Sequence, residues 1–164
     1  MLFRQVLGAF ATGVAVVTTK RQNCYFGLTI NSFTSVSLDP MLIQINIARN
    51  TTSHEYISET GYFAVNILAE DQLHISNIFS GAPPAERFRH VQVWEASSGS
   101  PVIEGSMAFI EVKVVGMYEG GDHTIFLGEV LQMQTLRDDV RPLLYFRGKY
   151  GRMEIEEDQS TGSA

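Results

Sequence analysis

The chain has little cysteine, few basic residues and no long apolar run. Cys24 is the single cysteine among 164 residues, which excludes an intramolecular disulfide and a cysteine-built metal centre. A reducing, cytoplasmic setting is expected. Twelve Lys and Arg against 18 Asp and Glu leave a formal charge of −6. Glu154, Glu156, Glu157 and Asp158 crowd a C-terminal stretch free of basic residues, so the rest of the chain is near neutral. That balance offers no basic footprint, and a nucleic-acid partner is not expected. The longest apolar stretch, Val6 to Val17, is broken by Gly8, Thr12 and Gly13. It falls short of the roughly 20 residues of a spanning helix, and behind Arg4 it lacks the charge and cleavage site of a signal peptide. No membrane association is expected. The Rossmann fingerprint, the Walker loop and the Gly-x-Ser-x-Gly elbow are missing, and His54, His74, His90 and His123 show no metal-ligand spacing with carboxylates. No metal is expected.

What remains is 45% hydrophobic material, ample for one core. Leu2, Phe3, Val6, Leu7 and Phe10 recur at helical spacing, predicting an amphipathic helix that ends near Gly13. Strands are predicted at Val14–Thr19, within Tyr25–Ser37 (as one strand or a pair), and at Met41–Ile47 after the Asp39-Pro40 break. Thr52-Ser53-His54-Glu55 has the form of a capping box, so a helix should run from there to Gly61. A strand at Tyr62–Leu68 and a helix at Glu70–Ser80 follow. Residues 81–105 read as a long connection around one short strand near Val91–Trp94. Met107–Tyr118 and Thr124–Gln134 alternate on either side of Glu119-Gly120-Gly121-Asp122, a hairpin signature. A last strand is placed near Leu143–Phe146. Six to eight hairpin-linked strands with two or three short helices predict a mainly β protein, an antiparallel barrel whose closure removes exposed edges. The segment Glu154–Ala164 reads as an acidic, disordered tail.

Two segments could carry chemistry. Gly27 to Ser37 places a hydroxyl or amide at every second or third position within an apolar run. Such side chains can serve the polar edge of a flat ring without filling its slot, although an ordinary exposed strand explains the same composition. Ala48-Arg49-Asn50-Thr51-Thr52-Ser53 ends a strand and opens a helix. Free amides, hydroxyls and an Arg there would suit a phosphate; a plain helix cap with a surface Arg is the simpler alternative.

The same residues carry a resemblance. Phe10 to Thr19, Asn31 to Pro40, Phe63 to Leu68 with Gln72 and Phe79, Gly121 to Val130, and Pro142 to Tyr145 through Gly148-Lys149-Tyr150 are similar, in order, to the blocks of the short-chain flavin reductases. These are the reductase components of two-component flavin-dependent monooxygenases. The resemblance implies a flavin reductase-like, FMN-binding split barrel over residues 1–153, assembled as a homodimer. It implies an NAD(P)H-dependent oxidoreductase passing a hydride from NADH or NADPH to FMN or FAD for a partner monooxygenase. Thr29, Asn31, Ser32, Ser35 and Val36 would line the flavin ring and ribityl chain; Ala48, Arg49, Thr51 and Ser53 would lie near its phosphate. The family often carries Ser-x-Thr where this chain has Thr51-Thr52-Ser53, the hydroxyls in exchanged order. His123 matches a histidine beside the nicotinamide, and Arg147, Gly148, Lys149 and Tyr150 a segment closing over the dinucleotide. No side chain is expected to act as acid or base. The same barrel could instead reduce another acceptor such as ferric iron or haem, or hold flavin without turnover.

Overall fold

The computed structural model describes residues 2–154, so the acidic-tail reading falls almost wholly outside the described residues. Helix α1 (Leu2–Leu7) and a two-residue strand β1 (Thr12–Gly13) precede β2 (Ala15–Arg21), β3 (Cys24–Ile30), β4 (Thr34–Leu38) and β5 (Met41–Ala48). Helix α2 (Thr52–Thr60), β6 (Tyr62–Ile67), α3 (Leu73–Gly81) and the short strands β7 (Val93–Glu95) and β8 (Pro101–Ile103) follow. The long pair β9 (Ala108–Gly120) and β10 (His123–Thr135) and the small hairpin β11 (Leu144–Phe146) and β12 (Lys149–Gly151) complete the order.

Seven strands form one antiparallel sheet in the order β3-β2-β6-β9-β10-β5-β4. Ala15, Val17 and Ile30 from one side of that sheet share a buried core with Ile43, Ile45, Ile47 and Phe126 from the other. Side chains from both flanks can meet only if the sheet curls upon itself, so the structure is an antiparallel split barrel, closed by packing and not by a β3–β4 ladder. The chain crosses the split at Ser32, whose Oγ donates to the Asn46 carbonyl (2.8 Å) and accepts from the Asn46 amide (3.2 Å).

Strand β2 is buried on both faces, which is why it reads as a continuous apolar run. Val14 and Val16 belong to a second cluster outside the barrel, with Leu68, Ile75, Phe79, Ile103 and Leu143. Helix α3 lies directly on β3: a Cβ at Gly27 would stand 2.9 Å from both Phe79 Cε1 and the Val17 carbonyl oxygen. The β7–β8 hairpin is fastened to the barrel by buried polar pins. Thr18 Oγ1 donates to the Pro101 carbonyl (2.5 Å), the Ile103 amide to Asn66 Oδ1 (2.8 Å), and Ser97 Oγ and the Ser98 amide to the two carboxylate oxygens of Glu111 (2.6 Å each).

Several expectations are corrected. Helix α1 ends at Leu7, well short of Gly13, because the Gly8, Ala9 and Phe10 amides close turns on Arg4, Val6 and Leu7. Of the two readings of Tyr25–Ser37 the strand pair holds, as β3 and β4, and these lie at opposite edges of the sheet rather than side by side. The cap of α2 is Thr51, one residue before the predicted box; its Oγ1 accepts from the His54 amide and donates to the Ala48 carbonyl. The 81–105 connection carries two strands, and β12 follows β11 as an additional strand. Both additions are three-residue strands with one neighbour each, too short to show alternation.

Candidate functional site

Two hollows flank Asn31 at the split. One, of about 360 Å³, is lined by Val14, Thr29, Ile30, Asn31, Ser80, Tyr145, Gly148 and Tyr150. The other, of about 260 Å³, is lined by Thr12, Gly13, Val14, Ala15, Ile30, Asn31, Phe33 and Ile67. They share Val14, Ile30 and Asn31, so an apolar floor with one amide at its edge runs between them. The fold thus brings Thr29 and Asn31 together with Gly148 and Tyr150, more than 100 residues later in the chain. Arg147 and Gly148 occupy the β11–β12 turn at positive φ (49° and 79°), the pattern of a two-residue hairpin turn. The turn sets Tyr145 opposite Tyr150, their rings 5.3 Å apart. Val14, Ser80 and Tyr145 were not singled out from the sequence. Only for Tyr145 was there a signal, the symmetry of Tyr145-Phe146-Arg147-Gly148-Lys149-Tyr150 about its turn.

A second group gathers at the far end of β5. His123 pairs with Ala48 across β10 and β5, and the Arg49 amide donates to the Asp122 carbonyl at 3.0 Å. Arg49 Nη2 reaches Glu119 at 3.2 Å, a solvent-facing pair with Glu119 90% exposed, which binds Arg49 only weakly. Thr52 and Ser53 open α2 three and four residues after Arg49, in the first turn, where helix amides lack intrahelical acceptors. Ser53 is nearly buried and Thr51 is engaged as the cap. His54 Nε2 and Thr124 Oγ1 are 2.8 Å apart. Burial, and then the Arg49 charge, holds His54 below its ordinary value, so it is neutral at pH 7 and adds no charge. Along β5, Ala48 lies two residues, about 7 Å, beyond Asn46, where Ser32 bridges the split. The second group therefore begins two residues along β5 from the crossing at Ser32.

His123 Nδ1 stands 2.7 Å from Asp122 Oδ1. The hydrogen bond and charge of His123 hold the Asp122 carboxyl below its usual range, with a lesser contribution from the Arg4 charge. Arg4 also lines a hollow with Gln5, Gly8, Arg147 and Gly148. His123 and residues 147–150, grouped by the sequence, thus line different parts of the surface. Lys149 is exposed on β12. Ser35 and Val36 lie on β4 at a bulge against β5, with Val36 half exposed.

A split antiparallel barrel with an apolar slot at its seam defines the class by its fold. The family model described as "Flavin reductase like domain" matches residues 7–154, and the chain belongs to that family. It is 36% identical over 155 residues to the reductase subunit of a flavin-dependent monooxygenase from Rhodococcus jostii, covering 94% of this chain and 78% of the relative. It is 38% identical over 158 residues to an NADH-dependent flavin reductase of a Rhodococcus species, covering 93% and 85%. The structure of a Streptomyces globisporus NADH:FAD oxidoreductase, in complex with NAD and FAD fragments, matches with a TM-score of 0.89 at 36% identity, covering 95% of this chain and 93% of that one.

Proposed function

We propose that this flavin reductase uses NADH to reduce FMN or FAD and hands the reduced flavin to a separate monooxygenase. The observation that carries the reading is the apolar slot at Asn31, with the Arg49 segment and the start of α2 following two residues along β5 from the Ser32 crossing. A flavin is apolar and flat at one end and anionic at the other, and the surface offers a matching sequence of groups. NADH is favoured as donor by the names of the relatives.

When bound together, nicotinamide and flavin supply the hydride chemistry themselves; the protein contributes orientation and electrostatics. Thr29, Asn31 and Ser32, with Ser35 and Val36 beyond, border the ring and ribityl chain. Arg49 with the Thr52 and Ser53 amides holds the phosphate, while Ala48 and Thr51 shape that corner. Asp122 fixes the His123 ring so that Nε2 faces the donor, and Arg147 to Tyr150 close over the dinucleotide. His123→Ala should raise the KM for NADH about tenfold, the cost of one good polar contact, while the flavin Kd, read from fluorescence quenching, stays within about twofold. A lost flavin affinity with unchanged NADH kinetics would reverse that assignment.

The functional unit is a homodimer in this reading. Leu2, Phe3, Val6, Leu7 and Phe10 of the N-terminal arm, and Val115, Met117, Leu131 and Met133 on the β9–β10 ribbon, are exposed. Exposed apolar side chains grouped on an arm and a ribbon suit a surface covered by a second copy. Leu131→Glu together with Met133→Glu should halve the mass measured by light scattering. A wild-type chain that runs as a monomer at micromolar concentration contradicts this.

A further inference from the structure

Helix α3 has no place in the reading above, yet it touches both walls of the larger hollow. Thr29 Oγ1 on β3 donates to the Ser76 carbonyl at 2.7 Å, and the Ser76 hydroxyl lies 2.8 Å from the Tyr150 hydroxyl on β12. Ser76 is fully buried. One residue of α3 therefore joins two cavity-lining residues 121 positions apart in the chain, and Ser80, one turn on, lines the same hollow. The two walls are not equally firm. Strand β3 is paired along its length with β2 and pressed by Phe79. Among the described residues, strand β12 pairs with β11 alone, and β11 otherwise pairs with the two residues of β1. The Tyr150 wall is an edge that packs against the cluster of Val14, Val16 and Phe79, and its side-chain hydrogen bond to the rigid layer is the one to Ser76.

We propose that Ser76 is a positioning residue for the hydride donor: through its hydroxyl it holds Tyr150, and with it the β11–β12 hairpin, at the distance from Thr29 that the donor ring requires. This rests on the reductase reading and on the assignment of residues 147–150 to the donor side. Without the bond the hairpin samples wider positions, and donor affinity falls by the fraction of time the slot keeps its binding width.

The test compares wild type, Ser76→Ala, Tyr150→Phe, the double variant and Ser76→Thr for NADH KM, kcat, flavin Kd and melting temperature. Ser76→Ala and Tyr150→Phe should each raise the NADH KM about three- to tenfold, the range that one net hydrogen bond supports, with kcat and flavin Kd within about twofold. The double variant should be no worse than either single, because both delete the same bond. Ser76→Thr, which retains a hydroxyl, should recover most of the loss. A purely structural Ser76 would lower the melting temperature and leave the KM where it was, which overturns the proposal; so does additivity in the double variant. Tyr150→Phe removes one oxygen and keeps the ring, so it decides the matter even if Ser76→Ala does not fold. A wild type that turns over no flavin removes the reductase reading and this inference together. An active wild type with an unchanged Tyr150→Phe removes this inference alone.

Discussion

Glu111→Ala should cost about 3 kcal/mol of stability, by the usual penalty for stripping a buried hydrogen-bonded charge from its partners. For a chain of this size that is a melting-temperature drop of roughly 6–12 °C. Glu111 sits on β9 beneath the β7–β8 hairpin and is completely buried, with no Lys or Arg within ion-pair distance among the described residues. Burial alone would push its carboxyl up. The hydrogen bonds from Ser97 and Ser98 outweigh that, and the group titrates below its usual range. The sign of the pH effect follows. A carboxylate with a depressed folded-state value contributes stability above the unfolded value and loses it as pH falls through the folded one. The wild type should therefore lose part of its margin over Glu111→Ala on acidification, and the two melting curves should converge. Calorimetry from pH 7 down to pH 3 checks this; a gap that widens toward low pH contradicts it.

Arg49→Ala carries the largest expected effect on activity. A guanidinium–phosphate contact is a charge-assisted hydrogen bond of about 1.5–3 kcal/mol, so the KM for FMN and FAD should rise about tenfold to a hundredfold. Riboflavin has the same ring and no phosphate, and its KM should stay within about twofold of wild type. The partner lost in the apo protein, Glu119, is 90% exposed, and exposed pairs of this kind contribute less than about 1 kcal/mol. Stability is therefore not what the variant reports. Equal losses for FMN and riboflavin would move Arg49 away from the phosphate and into a general structural role.

How much of this was legible depends on where each signal resides. Strands β5, β9 and β10 announce themselves because each buries one face and alternates, a pattern written within the strand itself. Gly121, at a φ of 70° in the two-residue turn, makes the β9–β10 hairpin equally plain. Strand β1 exists only because the distant β11 supplies its hydrogen bonds, and β8 and β12, though paired with the strand just before them, have three residues each, too few to show a local pattern. The separation of β3 from β4 is likewise a property of the curl, which brings Ile30 and Ile45 into one core. The cap of α2 was misplaced by one because Thr51 and Thr52 are chemically alike; the choice is made by the Ala48 carbonyl, which receives the Thr51 hydroxyl. The polar run Asn31–Val36 and the Arg49 segment are visible as chemistry, but not as neighbours. Their proximity comes from Ser32 bridging to Asn46, two residues before Ala48 on β5. Ser76 carries no signal at all until α3 is packed against β3, where its carbonyl receives the Thr29 hydroxyl.

Hydride flow between two ring systems held at the Asn31 slot is tested most directly by following NADH and NADPH oxidation with riboflavin, FMN and FAD added in turn to the purified protein. Turnover with NADH should exceed that with NADPH, and the KM for FMN or FAD should lie well below that for riboflavin, which has no phosphate for Arg49. No oxidation of either donor with any of the three flavins would contradict it.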